Sequence, residues 1–266
     1  HMTLAAYAAT GMAVAGIHAF LLLFERQNAF HRRALSVALL VGAPASLLQP
    51  ISGHHSAQVV AENQPAKLAA MEAHFETGRR APVLLGGWPD MKARTTRYAI
   101  RVPGGLSFLA FNDPDAEVQG LDRFPRKDWP HVPTVHIAFQ LMVAFGTYMA
   151  LVALWGVWLA LRREDHGSRR WFLRALVLAA PMGFVAIEAG WTVTEVGRQP
   201  WIVYGVLRTA DAVTPMPGLI VPFLGFSVLY CFLGIVVALL LYHQIVRSPR
   251  SAEWSRLYTP TAANRA

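Results

Sequence analysis

The sequence predicts an all-α fold: a polytopic bundle of transmembrane helices. Three observations lead there. Of the 266 residues 54% are hydrophobic and only 15% are charged, where a soluble domain carries about 25% charged residues. The apolar residues fall in long runs, each near the ~20 residues needed to cross the hydrocarbon core. Arginines cluster between these runs rather than being spread along the chain. The net charge of +8 would suggest a nucleic-acid partner in a soluble protein. Here it is explained by arginines flanking membrane spans, so no nucleic acid is expected.

Five spans can be drawn, at about 2–24, 34–52, 134–161, 172–194 and 218–243. The first ends at Glu25-Arg26, and the connection to the second carries Arg26, Arg32 and Arg33. The connection between spans three and four carries Arg162, Arg163, Arg169 and Arg170, and the tail carries Arg247 and Arg250. Alternating spans put these three regions on one side, and short arginine-rich loops are cytoplasmic. The long loop 53–133 and the loop 195–217 then face outward, the periplasmic side of a bacterial cytoplasmic (inner) membrane. The chain is one membrane domain. Within the long loop, Ala57 to Thr77 has helical periodicity, while Gly86-Gly87, Pro103-Gly104-Gly105 and Pro125 punctuate turns. Cys231 is the single cysteine, which excludes an intramolecular disulfide.

Several residues stand out chemically. His1 opens span one from the outer side, and Met142 lies up to two turns into span three from the same side, so the two share a depth. An imidazole nitrogen and a thioether sulfur on facing helices form a low-spin axial pair for haem iron. Spacing alone would leave Met142, one of eight methionines, as packing. Glu188 lies inside span four, where an ionisable group costs several kcal/mol unless compensated. The bland alternative is a structural hydrogen bond to a neighbouring helix, and a membrane scaffold or transporter using Glu188 for ions or substrate is the alternative function. Glu195 reads as interfacial. His18 falls on the opposite membrane face from His1, and His31, His166 and His243 fall at the cytoplasmic boundary. His54, His55, His74 and His131 read as wet loop residues, and His136 points elsewhere than Met142. No span offers the stacked histidine pairs of a dihaem cytochrome b.

Motifs sharpen this. Asn63-Gln64-Pro65-Ala66-Lys67-Leu68-Ala69-Ala70-Met71-Glu72 resembles the quinol-loop signature of cytochrome bd oxidase subunit I, and Gly197-Arg198-Gln199-Pro200-Trp201 resembles that family's GRQPW signature. Ser107-Phe108-Leu109-Ala110 and Ala116-Glu117-Val118-Gln119-Gly120-Leu121-Asp122 are similar to the rest of its loop, in a short version. Ala138-Phe139-Gln140-Leu141-Met142-Val143 resembles its methionine-bearing helix, and the opening His1-Met2-Thr3-Leu4-Ala5-Ala6-Tyr7 resembles its haem-bearing fifth helix. His1 is therefore read as native rather than as a cloning scar, and the sequence as the C-terminal part of a longer protein. Four further helices with another haem-ligating histidine are expected before it, without which the fragment should not turn over.

The resemblance implies a terminal oxidase that oxidises ubiquinol or menaquinol and reduces oxygen to water. It implies low-spin haem b558 held by His1 and Met142, with high-spin haem b595 and haem d beyond, and subunit II with small single-span subunits as partners in the lipid bilayer. It assigns quinol to Lys67, Glu72 and Gln64. It places Glu188 as a catalytic residue that coordinates or neighbours the high-spin haems where oxygen is reduced, and Arg198 at a haem propionate, with headgroup snorkelling as the alternative. Many relatives have Arg at the place of Gln140, and the lost cation is expected to shift the haem potential.

Overall fold

The structure is a computed structural model that describes residues 1–246. Five helices are long and apolar enough to cross a membrane. They are α1 (Met2–Phe24), α2 (Ala29–Asn63), α5 (Val132–Leu161), α6 (Arg170–Gly197) and α7 (Ile220–Val246). Arg247 and Arg250 of the expected cytoplasmic tail lie outside the described residues.

Four of these helices form a bundle. α1 and α5 each pack against both α2 and α6, so α1 and α5 stand on one diagonal and α2 and α6 on the other. Small residues set the crossings, as expected where lipid offers no hydrophobic drive and close backbone packing must supply the attraction. A Cβ on Gly11 would lie 2.5 Å from the Gly42 Cα, so α1 and α2 touch backbone to backbone. A Cβ on Gly183 would lie 2.5 Å from the Ala9 Cα, and one on Gly16 would lie 2.6 Å from the Leu176 carbonyl oxygen, so α6 is as close to α1. Met12, Leu22, Leu35, Phe172, Leu173 and Leu176 fill the space between these contacts. α7 is exposed along its length.

The second span is longer than hydropathy implied. The helix does not stop near residue 52 but runs 35 residues, from an Asn28 cap whose Oδ1 accepts from the Phe30 and His31 amides, through Pro44 and Pro50. Membrane helices tolerate such prolines. Residues 53–63 are polar, and hydropathy reports depth in a bilayer rather than helical hydrogen bonding. The Gln64-Pro65 step ends the helix, because the residue before a proline is pushed out of the helical region.

The long connection therefore begins at Gln64. It opens with the short helix α3 (Pro65–Met71) and continues in two-stranded antiparallel ribbons, a β component that the all-α expectation lacked. β2 (Val83–Leu85) pairs with β5 (Ile100–Val102), and β3 (Trp88–Asp90) pairs with β4 (Thr95–Arg97). β1 (Gly78–Arg79) pairs with β6 (Glu117–Val118) across the helix α4 (Gly105–Phe111). The turn glycines match their geometry: Gly86 and Gly87 have φ of 69° and 99°, values that glycine adopts without strain.

Motif residues stitch this connection together. The Ser107 hydroxyl donates to the Ala116 carbonyl at 2.8 Å and accepts from the Ala81 amide at 2.9 Å. The Asp122 carboxylate accepts from both the amide and the hydroxyl of Thr77. After α6, β7 (Trp201–Val203) and β8 (Leu207–Arg208) form a ribbon. Arg208 stacks 4.3 Å from the centre of the Trp201 ring and ion-pairs with Asp128, which ties this ribbon to the segment entering α5.

Candidate functional site at the outer helix ends

The two motifs, 125 residues apart in sequence, meet in space. Gln64 and Lys67 of α3 line one cavity of about 180 Å³ together with Thr194 and Arg198 from the end of α6 and Trp201, Ile202 and Tyr204 of the following ribbon. Lys67 is buried rather than part of a solvated face, with 9% of its surface exposed. It lies across the end of α6 because Gly197 has no side chain: a Cβ there would be 3.3 Å from both Cγ and Cε of Lys67. Burial lowers the proton affinity of the Lys67 amine, the Arg198 charge lowers it further, and Glu195 pulls back the other way.

Arg198 Nη2 donates to Glu195 Oε2 at 2.5 Å. Glu195, expected to be a plain interfacial residue, is thus the partner of the signature arginine. The Nε of Arg198 is buried with no partner, and so is Oε1 of Gln64. Buried polar groups left unsatisfied cost roughly 1–3 kcal/mol each. The residues lining the cavity thus carry an unpartnered donor and an unpartnered acceptor beside an ammonium group. That set suits a ligand oxygen that both accepts and donates, as a hydroxyl does.

Glu72 sits at the other end of α3, among different neighbours. It is 5% exposed, and its Oε2 has no partner. Burial pushes its carboxyl up to about 7, against the pull of the Leu84 backbone N–H. No ion pair joins Lys67 and Glu72 among the described residues.

Two side chains beside Glu72 come from α5. His136 is fully buried; its Nδ1 lies 2.8 Å from the Met71 carbonyl and its Nε2 lies 3.4 Å from the Gly86 carbonyl. Gln140 donates from Nε2 to the Leu84 carbonyl at 2.8 Å and accepts at Oε1 from the Gly86 amide at 3.0 Å. His136 was set aside in the sequence, and Gln140 was noted only for a missing charge. Their i, i+4 spacing, which puts both on one helical face, was the available signal. His74 is half-buried with an unpartnered Nε2, unlike a wet loop residue. His18 and His31 meet at the other end of the bundle, with their Nδ1 atoms 3.1 Å apart.

His1 and Met142 do not touch, and each is placed by a glycine or a polar neighbour. His1 is exposed at the start of α1, 3.3 Å from Gln49 Nε2 and beside Gly53. The sulfur of Met142 fills the space above Gly190, where a Cβ would lie 3.0 Å from it. α2 continues roughly ten residues, about 15 Å, beyond the level of His1, and α5 begins roughly ten residues before Met142. The two side chains therefore come to a similar level on diagonally opposed helices. An imidazole and a thioether so placed fit the axial donor set of a haem in a bundle.

Glu188 is exposed, and no side-chain partner for it exists among the described residues. It lies about 200° around α6 from Gly190, facing away from α1 and α5. Glu188 and Arg198 are thus separated, Arg198 belonging with Lys67. No cluster of three or more His, Cys, Asp or Glu capable of holding a metal ion occurs among the described residues.

The profile of cytochrome bd terminal oxidase subunit I matches residues 1–249. The chain belongs to this family. A protein of Bacillus subtilis named as a cytochrome bd menaquinol oxidase subunit I is 38% identical over 254 residues, covering 94% of this chain and 57% of its own length. A cytochrome bd ubiquinol oxidase subunit 1 of the same organism is 33% identical over 258 residues, covering 92% of this chain and 55% of its own. The solved bd oxidase from Geobacillus thermodenitrificans superposes with a TM-score of 0.80 at 34% identity, covering 92% of this chain and 56% of the other. The chain thus spans about half the length of the relatives it matches. The names of these relatives are those of bd oxidases.

Proposed function

We propose that this chain is the quinol-oxidising part of subunit I of a cytochrome bd-type terminal oxidase in a bacterial inner membrane, working with subunit II and small single-span subunits. The observation that carries this is the convergence of Gln64, Lys67 and Arg198 on one cavity with unspent hydrogen-bonding atoms. A quinol hydroxyl uses that set fully: it donates to Gln64 Oε1 and accepts from Lys67 or Arg198. Lys67 and Arg198 also stabilise the negative charge that develops on the oxygen as its proton leaves.

Glu72 lies outside this cavity, at the other end of α3, and is assigned as the final acceptor of a released proton rather than as a direct partner of the hydroxyl. A general base works best when its proton affinity lies near the operating pH, and the Glu72 carboxyl at about 7 meets this requirement. The relatives' names print both menaquinol and ubiquinol, and the cavity takes the hydroquinone headgroup common to both.

His1 and Met142 would hold the low-spin haem b558, a one-electron carrier when bound. Glu188, on the opposite side of α6, would face the high-spin haem b595 and haem d, where oxygen is reduced to water. An unpaired carboxyl at that depth is costly in lipid, so this face of α6 is covered by polar or charged groups in the assembled oxidase. The arginines between α1 and α2 and between α5 and α6 support an inside position for those connections by the positive-inside rule, and with it a periplasmic quinol loop.

The test is Lys67→Ala in the assembled oxidase. Quinol oxidation should fall by at least tenfold, while haem bands and oxygen consumption with an artificial reductant that bypasses quinol stay intact. Equal loss with both reductants would remove Lys67 from the quinol site.

A further inference from the structure

The segment Leu84–Gly86 is gripped by side chains rather than by another strand. In a two-stranded antiparallel ribbon, the N–H and C=O of one residue point to the same side, and alternate residues turn theirs away from the partner strand. Leu84 is such a residue. Its C=O accepts from Gln140, so the free edge of β2 lies against α5, and His136, within reach of both the Met71 and the Gly86 carbonyls, sets the strap beside the end of α3 that carries Glu72. Gly86 is held twice more, its N–H by Gln140 Oε1 and its C=O by His136.

Gln140 thus grips this strap on both sides of Leu85, donating to one peptide and accepting from the next. Both ends of its amide are engaged in doing so. The nearby charged groups are engaged elsewhere: Lys67 faces the cavity beside Arg198, His136 is turned onto two carbonyls, His74 lies near Asp122 and Glu76, and Asp90 of β3 pairs with Arg97 at 2.5 Å. Burial and the Leu84 N–H are the influences left on Glu72.

We propose that Gln140 is a positioning residue for Glu72: by fixing the Leu84–Gly86 strap it aims the Leu84 N–H at the Glu72 carboxyl, and so couples the proton acceptor of the loop to the helix that carries Met142. The functional side of this proposal rests on the assignment of quinol oxidation to the loop. The geometric side does not. A strap released from Gln140 no longer holds the Leu84 N–H, the one influence that lowers proton affinity at Glu72, and that affinity rises.

The experiment uses the assembled oxidase with Gln140→Met, which keeps length and volume but cannot hydrogen-bond, and Gln140→Asn, which stays polar but is one methylene too short to reach both peptides. The protonated-carboxyl infrared band of Glu72, identified by its disappearance in Glu72→Gln, is titrated in each variant. Its midpoint should move to higher pH by about one unit in Gln140→Met and by less in Gln140→Asn. The rising limb of quinol oxidation against pH should move with it, while oxidation of the artificial reductant does not. A midpoint equal to the parent's in both variants overturns the proposal. A shifted midpoint with wild-type quinol turnover in Glu72→Gln upholds the positioning role and defeats the quinol assignment alone.

Discussion

Replacing Glu72 by Gln separates two effects that its burial creates. The parent carboxyl is raised from 4.5 to about 7, a shift of about 2.5 units, worth about 3 kcal/mol at ~1.4 kcal/mol per unit. The sign follows from the raised affinity. Below the unfolded value both states are protonated and ionisation costs nothing. As pH rises past 4.5 the unfolded chain releases its proton while the folded chain retains it, so folded stability declines until the folded group ionises near 7. Glu72→Gln carries no ionisable group. It should therefore match the parent near pH 4.5 and exceed it by up to about 3 kcal/mol at pH 8. Thermal unfolding of the purified oxidase, followed by tryptophan fluorescence from pH 4.5 to 8, reads this as a midpoint difference that opens over the window and then levels. In activity the same variant loses its general base, and quinol oxidation should drop about 100-fold or more. A constant midpoint difference across the window, or a Gln variant less stable than the parent at pH 8, would refute the reasoning about burial. Full quinol turnover would refute the assignment of the base.

Two further outcomes test the haem-side residues. Met142→Leu keeps the volume above Gly190 but has no sulfur lone pair, so packing should survive at a cost below about 1.5 kcal/mol while the low-spin haem b spectrum becomes high-spin or is lost; an unchanged spectrum removes Met142 from the site. Glu188→Gln should alter the high-spin haem bands and carbon monoxide rebinding but leave the low-spin bands alone, because the side chain faces away from α1 and α5. Normal rebinding with normal haem content would return Glu188 to a structural role.

The helices were legible in the sequence because long apolar runs report a bilayer directly, and four of the five drawn spans agree closely with the helices found. Their ends were legible only where composition changes with structure. At Gly53–Asn63 it does not: the chain turns polar while the helix continues, and the expected loop started too early for that reason. Within the loop, Gly86-Gly87 and Pro103-Gly104-Gly105 revealed turns, but pairing such as Val83 with Val102 depends on contacts across intervening residues, which no local pattern encodes.

The site shows the same division more sharply. The quinol-loop and GRQPW signatures each marked its own neighbourhood, but their meeting depends on Gly197 leaving room for Lys67 and on α6 ending beside α3. Glu188 drew attention by its depth in an apolar run, yet Glu195, less conspicuous near the helix end, is the acid that holds Arg198. Gln140 was noticed for the charge it lacks. Its role in this fold comes from the two opposite groups on one amide, a donor and an acceptor, which a guanidinium could not reproduce because it has no acceptor. An arginine here would bring a charge in place of that two-sided grip on the loop backbone. If Gln140 positions Glu72 as proposed, the effect runs through Leu84, and these three residues, far apart in sequence, become neighbours only when α5 and the ribbons are in place.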